Sequence, residues 1–247
     1  MLATWGREFV KARLSKNLRR ALRDVREELY VQRIHRASTK NVSRLAGRRG
    51  LRLNLASGFQ PKPGWVNVDL MAPQADLRLD LREPLPFEDE SAAAIYTEHF
   101  FEHLSYPNLG DSTAWHLETP TEPSEGLLFL RECFRVLEPG GTFDIVVPDA
   151  EMTLVEYVER REFGFPRHEA WWGPAWCETP MHCVNYVFRQ GREHKYAYDE
   201  ETLTRVIGQA GFVDVRRRTF DPEMDAPNHK LGSLCVIARK PDSGSPS

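Results

Sequence analysis

The chain has 247 residues, the length of one domain with short extensions, and its 41% apolar and 28% charged residues are typical of a globular protein. No apolar run approaches the roughly 20 residues of a membrane span, and early charges interrupt any secretory signal, so we expect a cytoplasmic protein. Four scattered cysteines exclude a dense disulfide framework, and we expect reduced thiols.

The net charge of -3 conceals an uneven distribution. Residues 1–50 contain 14 Lys and Arg against four acids, a balance of +10, which leaves 19 basic against 32 acidic residues in the other 197, a balance of -13. Such an acidic body repels phosphate, so we expect nucleic acid to be an unfavourable partner.

Apolar residues recur every three or four positions near the N-terminus and predict an amphipathic helix over residues 5–36 with a basic opposite face. Such a helix could lie peripherally on an anionic membrane, bind an acidic protein, pair with its copy in a homo-oligomer, or pack on the acidic body of its own chain. Residues 37–50 have the composition of a linker, so 1–50 form one N-terminal unit.

From residue 51 onward, short apolar segments alternate with helix-like stretches, which predicts an α/β sandwich with a mainly parallel sheet. The predicted strands are 51–56, 65–70, 76–80, 93–97, 142–147, 213–220 and 233–238. Helices are predicted over 124–137, before Pro139-Gly140-Gly141, and over 200–210, before Gly211. We expect a disordered tail over 241–247.

Polar or small residues follow most of the predicted strands. In an open parallel sheet, ligands bind at the carboxyl ends of the strands, so these positions are candidates for one site. Taken singly, an Asp after a strand is more often a turn or capping residue than a ligand. The candidates in chain order are Ala56-Ser57-Gly58, Asp69, Asp80-Leu81, Glu98 to His103, and Asp149.

Several linked motifs resemble those of class I S-adenosylmethionine-dependent methyltransferases. They are LNLASG (53–58), GWVNVDL (64–70), LPFEDESAAAIYTEHFFEHL (85–104), RVLEPGG (135–141), VVPDAE (146–151) and YAYDEETLTRVIGQAGFVDVRR (196–217). The set is most similar to a small group of O-methyltransferases associated with polysaccharide assembly, with an EHxxEH element at 98–103. The resemblance covers residues 51–240 and implies a Rossmann-like sandwich with a seven-stranded sheet and helices on both faces.

The resemblance also implies how S-adenosylmethionine binds. Ser57 and Gly58, with Ala56, would flank its methionine part, Asp69 would hold the ribose, and Asp80 with the Leu81 backbone would meet the adenine. Leu70 and Glu98 would complete the cofactor set. Two departures stand out: Ala56 occupies the place of the usual first glycine, and 58–65 is too short for a full first helix. We therefore expect a modified binding mode.

The segment His99-x-x-Glu102-His103 places three ligand-type side chains within one helical turn. The pattern of inverted zinc proteases fits poorly, because this motif follows a strand. A closer likeness is the E-x-x-E-H element of methyltransferases that bind a divalent ion such as Mg²⁺ or Mn²⁺, with His99 replacing the first Glu. Nitrogen ligands favour Mn²⁺, Fe²⁺, Co²⁺ or Zn²⁺ over Mg²⁺. His182 is a candidate fourth ligand; alternatively, Glu102 caps a helix and His103 binds a backbone carbonyl.

Methyl transfer to a hydroxyl requires a base, and Asp149 after the fifth strand is the first candidate. His103 is the alternative if no metal binds. Insertions at 105–123 and 157–198 are expected on the acceptor side. The second contains ten of the chain's 26 aromatic residues, which suits a sugar but also a packed lid or dimer contact. The spacing of Cys177, Cys183, His182 and His194 matches no standard zinc site.

These observations predict a metal-assisted O-methyltransferase that acts on a sugar hydroxyl of a saccharide or glycoconjugate. A metal-free methyltransferase acting on a small molecule is the first alternative. A non-catalytic scaffold with a methyltransferase-like body is the second, and Ala56 with the shortened first loop is its support.

Overall fold

The computed structural model of the chain describes residues 14–105, 124–159 and 173–244. The insertion predicted at 105–123 therefore lies outside the described residues except for its first residue, as do 160–172 of the second insertion, the first part of the predicted N-terminal helix and the end of the tail. No helix in the described ranges combines the length and apolar character needed to cross a bilayer.

The described elements confirm most of the predicted ones. The strands are β1 (Leu51–Leu55), β2 (Val66–Val68), β3 (Ala92–Glu98), β4 (Leu137–Pro148), β5 (Val213–Arg217) and β6 (Ser233–Arg239). The α-helices are α1 (Lys16–Thr39), α2 (Glu125–Val136), α3 (Ala150–Glu159), α4 (Pro180–Arg189) and α5 (Glu200–Gln209). Short 3₁₀ helices cover Lys40–Leu45, Phe101–His103, Gln190–Arg192 and Pro227–His229.

The six strands form one sheet in the order β2-β1-β3-β4-β6-β5. Neighbours from β2 to β4 are parallel, and β6 runs antiparallel to both β4 and β5. The fold class is therefore the mainly parallel, Rossmann-like α/β fold predicted from the sequence. The carboxyl ends of β1 to β4 meet at one edge of the sheet, where ligands of such folds bind.

The strand predicted over 76–80, the third along the chain, is wrong as a full strand, because in the described residues it forms one isolated parallel bridge, between Leu77 and Val68. The sheet therefore has six strands and not seven in the described part of the chain. The neighbouring strand β2 has three residues, which limits the pairing. On the outer side, the backbone N–H of Arg78 donates to Ser38 Oγ at 2.7 Å and that of Asp80 donates to His35 Nδ1 at 3.1 Å. Side chains of α1 thus cover a sheet edge that would otherwise be open.

The main core lies on one face of the sheet, where α2 and α5 pack. Because alternate strand residues point to opposite faces, Ile95, Ile145 and Val236 contribute to this core. Their neighbours Tyr96, Val146 and Cys235 form a second, smaller cluster with Trp65 and Met224.

The connection between β1 and β2 contains no helix, as its length predicts. Two asparagine side chains hold it instead. Asn54 Nδ2 donates to Asn67 Oδ1 at 2.9 Å, and the Lys62 N–H donates to the same oxygen at 2.7 Å. Asn67 Nδ2 donates in turn to the Lys62 carbonyl at 3.1 Å. The loop is therefore fixed at the carboxyl edge of the sheet without a helix N-terminus.

Candidate active site

A cleft of about 390 Å³ opens at the carboxyl ends of β1, β2 and β3. It brings together seven of the residues predicted for cofactor, metal or catalysis: Ala56, Ser57, Gly58, Asp69, Glu98, His99 and His103. The lining also includes residues that sequence reasoning missed, among them Phe59, Lys62, Tyr96, Ala226 and His229.

The loop after β1 has the shape of a ligand cradle. Ala56 and Gly58 both adopt left-handed backbone conformations, with φ of 55° and 52°. A Cβ added at Gly58 would meet no atom within 4 Å, so its Cα borders open space. The hydroxyl of Ser57 is buried and has no hydrogen-bond partner in the described part of the chain. This buried hydroxyl at the cleft is therefore available to a ligand.

Asp69 joins this loop to the end of β2. Its Oδ2 accepts the Gly58 N–H at 2.9 Å, and its Oδ1 accepts the N–H groups of Met71 and Ala72 at 2.8 and 2.6 Å. The carboxylate is therefore held rigidly at the cleft, and it retains acceptor capacity for a ligand hydroxyl.

The other residues predicted to bind the cofactor do not line the cleft. Both Asp80 oxygens lie within hydrogen-bond distance of the Arg82 guanidinium, at 2.6 to 3.1 Å, and these contacts help to hold the pKa of Asp80 below its usual value against the effect of burial. Leu81 is buried in the main core. The carbonyl of Leu70 accepts Arg78 Nε at 3.0 Å.

Asp149 also lies outside the cleft lining, although it follows β4 as predicted. It is buried, its Oδ2 is 3.1 Å from Arg217 Nη2, and its Oδ1 accepts the Met152 N–H at 2.9 Å. Asp149 therefore acts as a capping residue at the start of α3 and as an ion-pair partner, which is the common use of an Asp after a strand.

A second group of polar residues surrounds the carboxylate of Glu102, in the 3₁₀ helix after β3. Neither Glu102 oxygen has a hydrogen-bond donor among the described residues, although the side chain is almost fully buried. Its Oε1 lies 3.7 Å from His99 Nδ1, 3.9 Å from His103 Nε2 and 3.9 Å from His194 Nε2. Glu102, His103 and His194, which we call the Glu102 cluster, have ligand atoms within 4.8 Å of one another.

Backbone contacts bring His194 to this place. The N–H groups of Lys195 and Tyr196 donate to the Glu102 carbonyl at 2.7 and 3.2 Å. His194 Nδ1 lies 2.5 Å from the Val187 carbonyl, to which it donates, so its Nε2 keeps a lone pair directed towards Glu102.

Burial determines the charges of this group. It raises the pKa of Glu102 to about 8 and lowers the pKa values of His99, His103 and His194. Without an ion, the Glu102 carboxyl therefore keeps its proton at neutral pH, and a bound divalent ion would displace that proton. Neutral imidazoles and a carboxylate are donors that suit a divalent transition-metal ion. The donor set therefore fits such an ion, and its nitrogens favour Mn²⁺ or Zn²⁺ over Mg²⁺.

His182 is not part of this group. It lies in the first turn of α4, where its Nδ1 accepts the Glu178 N–H at 3.2 Å and its ring is exposed. The structure therefore does not bring His182 next to Glu102, and His182 as fourth ligand stays a sequence-based prediction; His194 lies beside Glu102 instead. No spacing rule connects 99–103 with residue 194, so the sequence pattern alone could not select it.

The cleft also contains a paired glutamate and histidine, Glu98 and His229, and this pair was not predicted from the sequence. His229 Nδ1 lies 2.9 Å from Glu98 Oε1, which also accepts the Ala226 N–H at 3.0 Å. The His229 ring stacks on that of His99 at 3.7 Å, and His99 Nε2 lies 2.9 Å from Ser233 Oγ. His99 itself has a left-handed backbone, with φ of 49°. Such unfavourable conformations cluster at functional sites.

No family model matches the sequence, and no curated protein matches it. Solved structures with a related arrangement include a SAM-dependent methyltransferase from Archaeoglobus fulgidus, at 15% identity and a TM-score of 0.44, covering 86% of this chain and 94% of that one. Others are a possible histamine N-methyltransferase from Thermotoga maritima (14%, 0.40, covering 90% and 97%) and 1,6-didemethyltoxoflavin-N1-methyltransferase from Burkholderia thailandensis (16%, 0.42, covering 92% and 86%). Likeness of this degree does not extend to activity.

Proposed function

We propose that the protein is an S-adenosylmethionine-dependent O-methyltransferase that acts on a saccharide or glycoconjugate hydroxyl with the help of a divalent ion. One observation carries the proposal: His103 belongs to the Glu102 cluster and also lines the cleft that contains Asp69 and the 56–58 loop. Cofactor-type and metal-type residues thus border one space.

The cofactor end of the cleft is assigned to the loop 56–58 and Asp69. S-adenosylmethionine bound there would supply the methyl group. The unpartnered Ser57 hydroxyl and the open Cα face of Gly58 allow close contact with a ligand, and the Asp69 carboxylate accepts hydrogen bonds from hydroxyl groups such as those of a ribose. Asp80 and Leu81 lie outside the lining, so an adenine contact through them remains only the sequence-based expectation.

The Glu102 cluster is assigned to the metal. A divalent ion held there would lower the pKa of an acceptor hydroxyl bound to it. Glu102 would supply the charge that compensates the ion, and His103 and His194 would supply nitrogen ligands oriented by their backbone contacts. His99 stays a predicted ligand, because its Nδ1 faces Glu102 while its other nitrogen contacts Ser233.

Proton removal is assigned to His229 rather than to Asp149. In the tautomer in which Nδ1 donates to Glu98, the other ring nitrogen of His229 is left as an acceptor in the cleft. His103, the alternative base in the sequence-based prediction, also lines the cleft but belongs to the Glu102 cluster. The proposal of a saccharide acceptor is based on the aromatic composition of 157–198. Within this segment, the rings of Trp176 and Tyr186 contact each other.

The test is methyl transfer from labelled S-adenosylmethionine to a panel of mono- and oligosaccharides by full-length protein, after EDTA treatment and after addition of Mn²⁺ or Mg²⁺. The proposal predicts product only with metal, and loss of product in Glu102→Gln. Undiminished turnover in EDTA would favour the metal-free alternative acting on a small molecule. Absence of both turnover and cofactor binding would favour the non-catalytic scaffold.

A further inference from the structure

The helix α1 presents a row of apolar side chains to solvent. Leu18, Leu22, Val25 and Leu29 are 47%, 47%, 56% and 62% exposed. Their spacing of four, three and four residues places them along one side of the helix. The row is about 16 Å long, since each residue rises 1.5 Å. Exposed apolar rows of this kind indicate an interaction surface.

The body of the protein contacts a different side of the helix. The contacts come from Glu28, which pairs with Arg82 at 3.1 Å, and from His35 and Ser38, which accept backbone N–H groups. Ser38 is the only buried residue that α1 contributes. The helix thus contacts the acidic body of its own chain through these residues, while the apolar row is left facing outward.

Basic residues border this apolar row. Arg19, Arg26 and Arg33 repeat at seven-residue spacing beside it, and all are exposed. Across α1 as a whole, seven Lys and Arg stand against three Asp and Glu. An apolar strip with a basic flank matches a surface that is both apolar and anionic, because long arginine side chains can extend from the strip to charged groups.

A second copy of the helix fits the surface less well. In an antiparallel pair, the arginine rows of the two copies would face each other, and like charges at these flanking positions oppose pairing. In a parallel pair, the arginine row of one copy would face the opposite flank of the other copy. The acidic residue on that flank is Glu28, which already forms an ion pair with Arg82. A seam of four apolar residues is also short for a stable coiled coil.

We propose that α1 docks the protein on an anionic lipid membrane, with Leu18, Leu22, Val25 and Leu29 inserted among the acyl chains and Arg19, Arg26 and Arg33 at the headgroups. The helix lies in the interface and does not span the bilayer. This proposal is independent of the methyltransferase assignment, because no residue of the cleft or of the Glu102 cluster takes part.

The test is co-sedimentation of the full-length chain with vesicles of phosphatidylcholine alone or mixed with phosphatidylglycerol. Two variants probe the surface: Leu22→Gln with Leu29→Gln, and Arg19→Gln with Arg26→Gln and Arg33→Gln. Matched controls are Leu154→Gln, a 46%-exposed leucine on α3, and Arg48→Gln, an exposed arginine after α1. Thermal unfolding checks that each variant is folded, and light scattering without lipid gives the oligomeric state.

Binding to mixed vesicles, weak binding to phosphatidylcholine alone and release at raised ionic strength are expected. The leucine variant should lower the partition coefficient about tenfold or more, and the arginine variant about a hundredfold, while both controls bind as wild type. No binding to mixed vesicles would overturn the proposal, as would equal binding by wild type and both variants. A dimer that the leucine variant dissociates, without vesicle binding, would assign the row to a second copy instead.

Discussion

The Nε2 atom of His194 lies 3.9 Å from Oε1 of Glu102, and no described residue donates a hydrogen bond to that carboxylate. An isolated buried carboxylate is unfavourable, whereas one that shares an ion with neutral imidazoles is compensated. This relationship supports the assignment of a metal to the Glu102 cluster.

Glu102→Gln should stabilise the metal-free protein increasingly as pH rises. The unfolded chain releases the Glu102 proton near its ordinary pKa of 4.5, but the folded protein retains it until about 8. Between these values, rising pH favours the unfolded wild type by about 1.4 kcal/mol per pH unit. Urea unfolding of EDTA-treated protein at several pH values measures the difference between the two proteins. A pH-independent difference would contradict the buried ionisation.

Metal affinity should depend on His194 and not on His182. Removing a ligand from the Glu102 cluster should weaken Mn²⁺ or Zn²⁺ binding more than about tenfold, because outer-shell changes alone have effects of that size. Calorimetric titration of His194→Ala and His182→Ala with each metal makes the comparison. Equal affinity of His194→Ala and wild type would remove His194 from the site.

Asp69→Asn should weaken binding of S-adenosylhomocysteine about tenfold or more, since a charged acceptor is replaced at the cleft. Asp149→Asn is the matched control. It breaks the ion pair with Arg217 and weakens the cap of α3, so it should lower the free energy of unfolding but spare ligand affinity. If the two variants lost affinity equally, Asp69 would have no special role.

His229→Asn should lower turnover by about 10² to 10⁴ while S-adenosylhomocysteine affinity stays near that of wild type. Glu98→Gln should have a smaller effect of the same kind, because Glu98 orients His229. A change in ligand affinity without a change in turnover would make His229 a binding residue only.

Ala56→Gly should raise the free energy of unfolding by up to about 1 kcal/mol, because glycine adopts the left-handed conformation of this position without strain. Ala46→Gly is the control, since Ala46 has an ordinary φ of -56° and should lose stability through chain entropy. Chemical denaturation of both variants tests the difference. Destabilisation by Ala56→Gly would show that its methyl group packs favourably.

The parts of the fold that follow from local patterns could be predicted. Leu53 and Leu55 in β1, and the repeating apolar face of α2 before Pro139, are examples. The length of the strand predicted over 76–80 was overestimated. Ser38 and His35, from a segment interpreted as helix and linker, accept the N–H groups on its outer edge. Such contacts depend on tertiary structure and leave no local signal.

The candidate site likewise combines residues that local sequence patterns could predict with residues that they could not. Asp69 and the 56–58 loop follow strands and could be placed in advance. Asp149 follows a strand too, but the local need for a cap and the nearby Arg217 determine its contacts. His194 and His229 reach the site only because the backbone of 195–196 pairs with Glu102 and because β6 runs beside β4. A single sequence contains no spacing rule for either contact.

The most direct test of the account is calorimetric titration of the full-length protein with S-adenosylhomocysteine, first in EDTA and then with Mn²⁺. We predict micromolar binding in both conditions, because the 56–58 loop and Asp69 are separate from the Glu102 cluster. No binding in either condition would contradict the methyltransferase proposal and leave the fold as a scaffold.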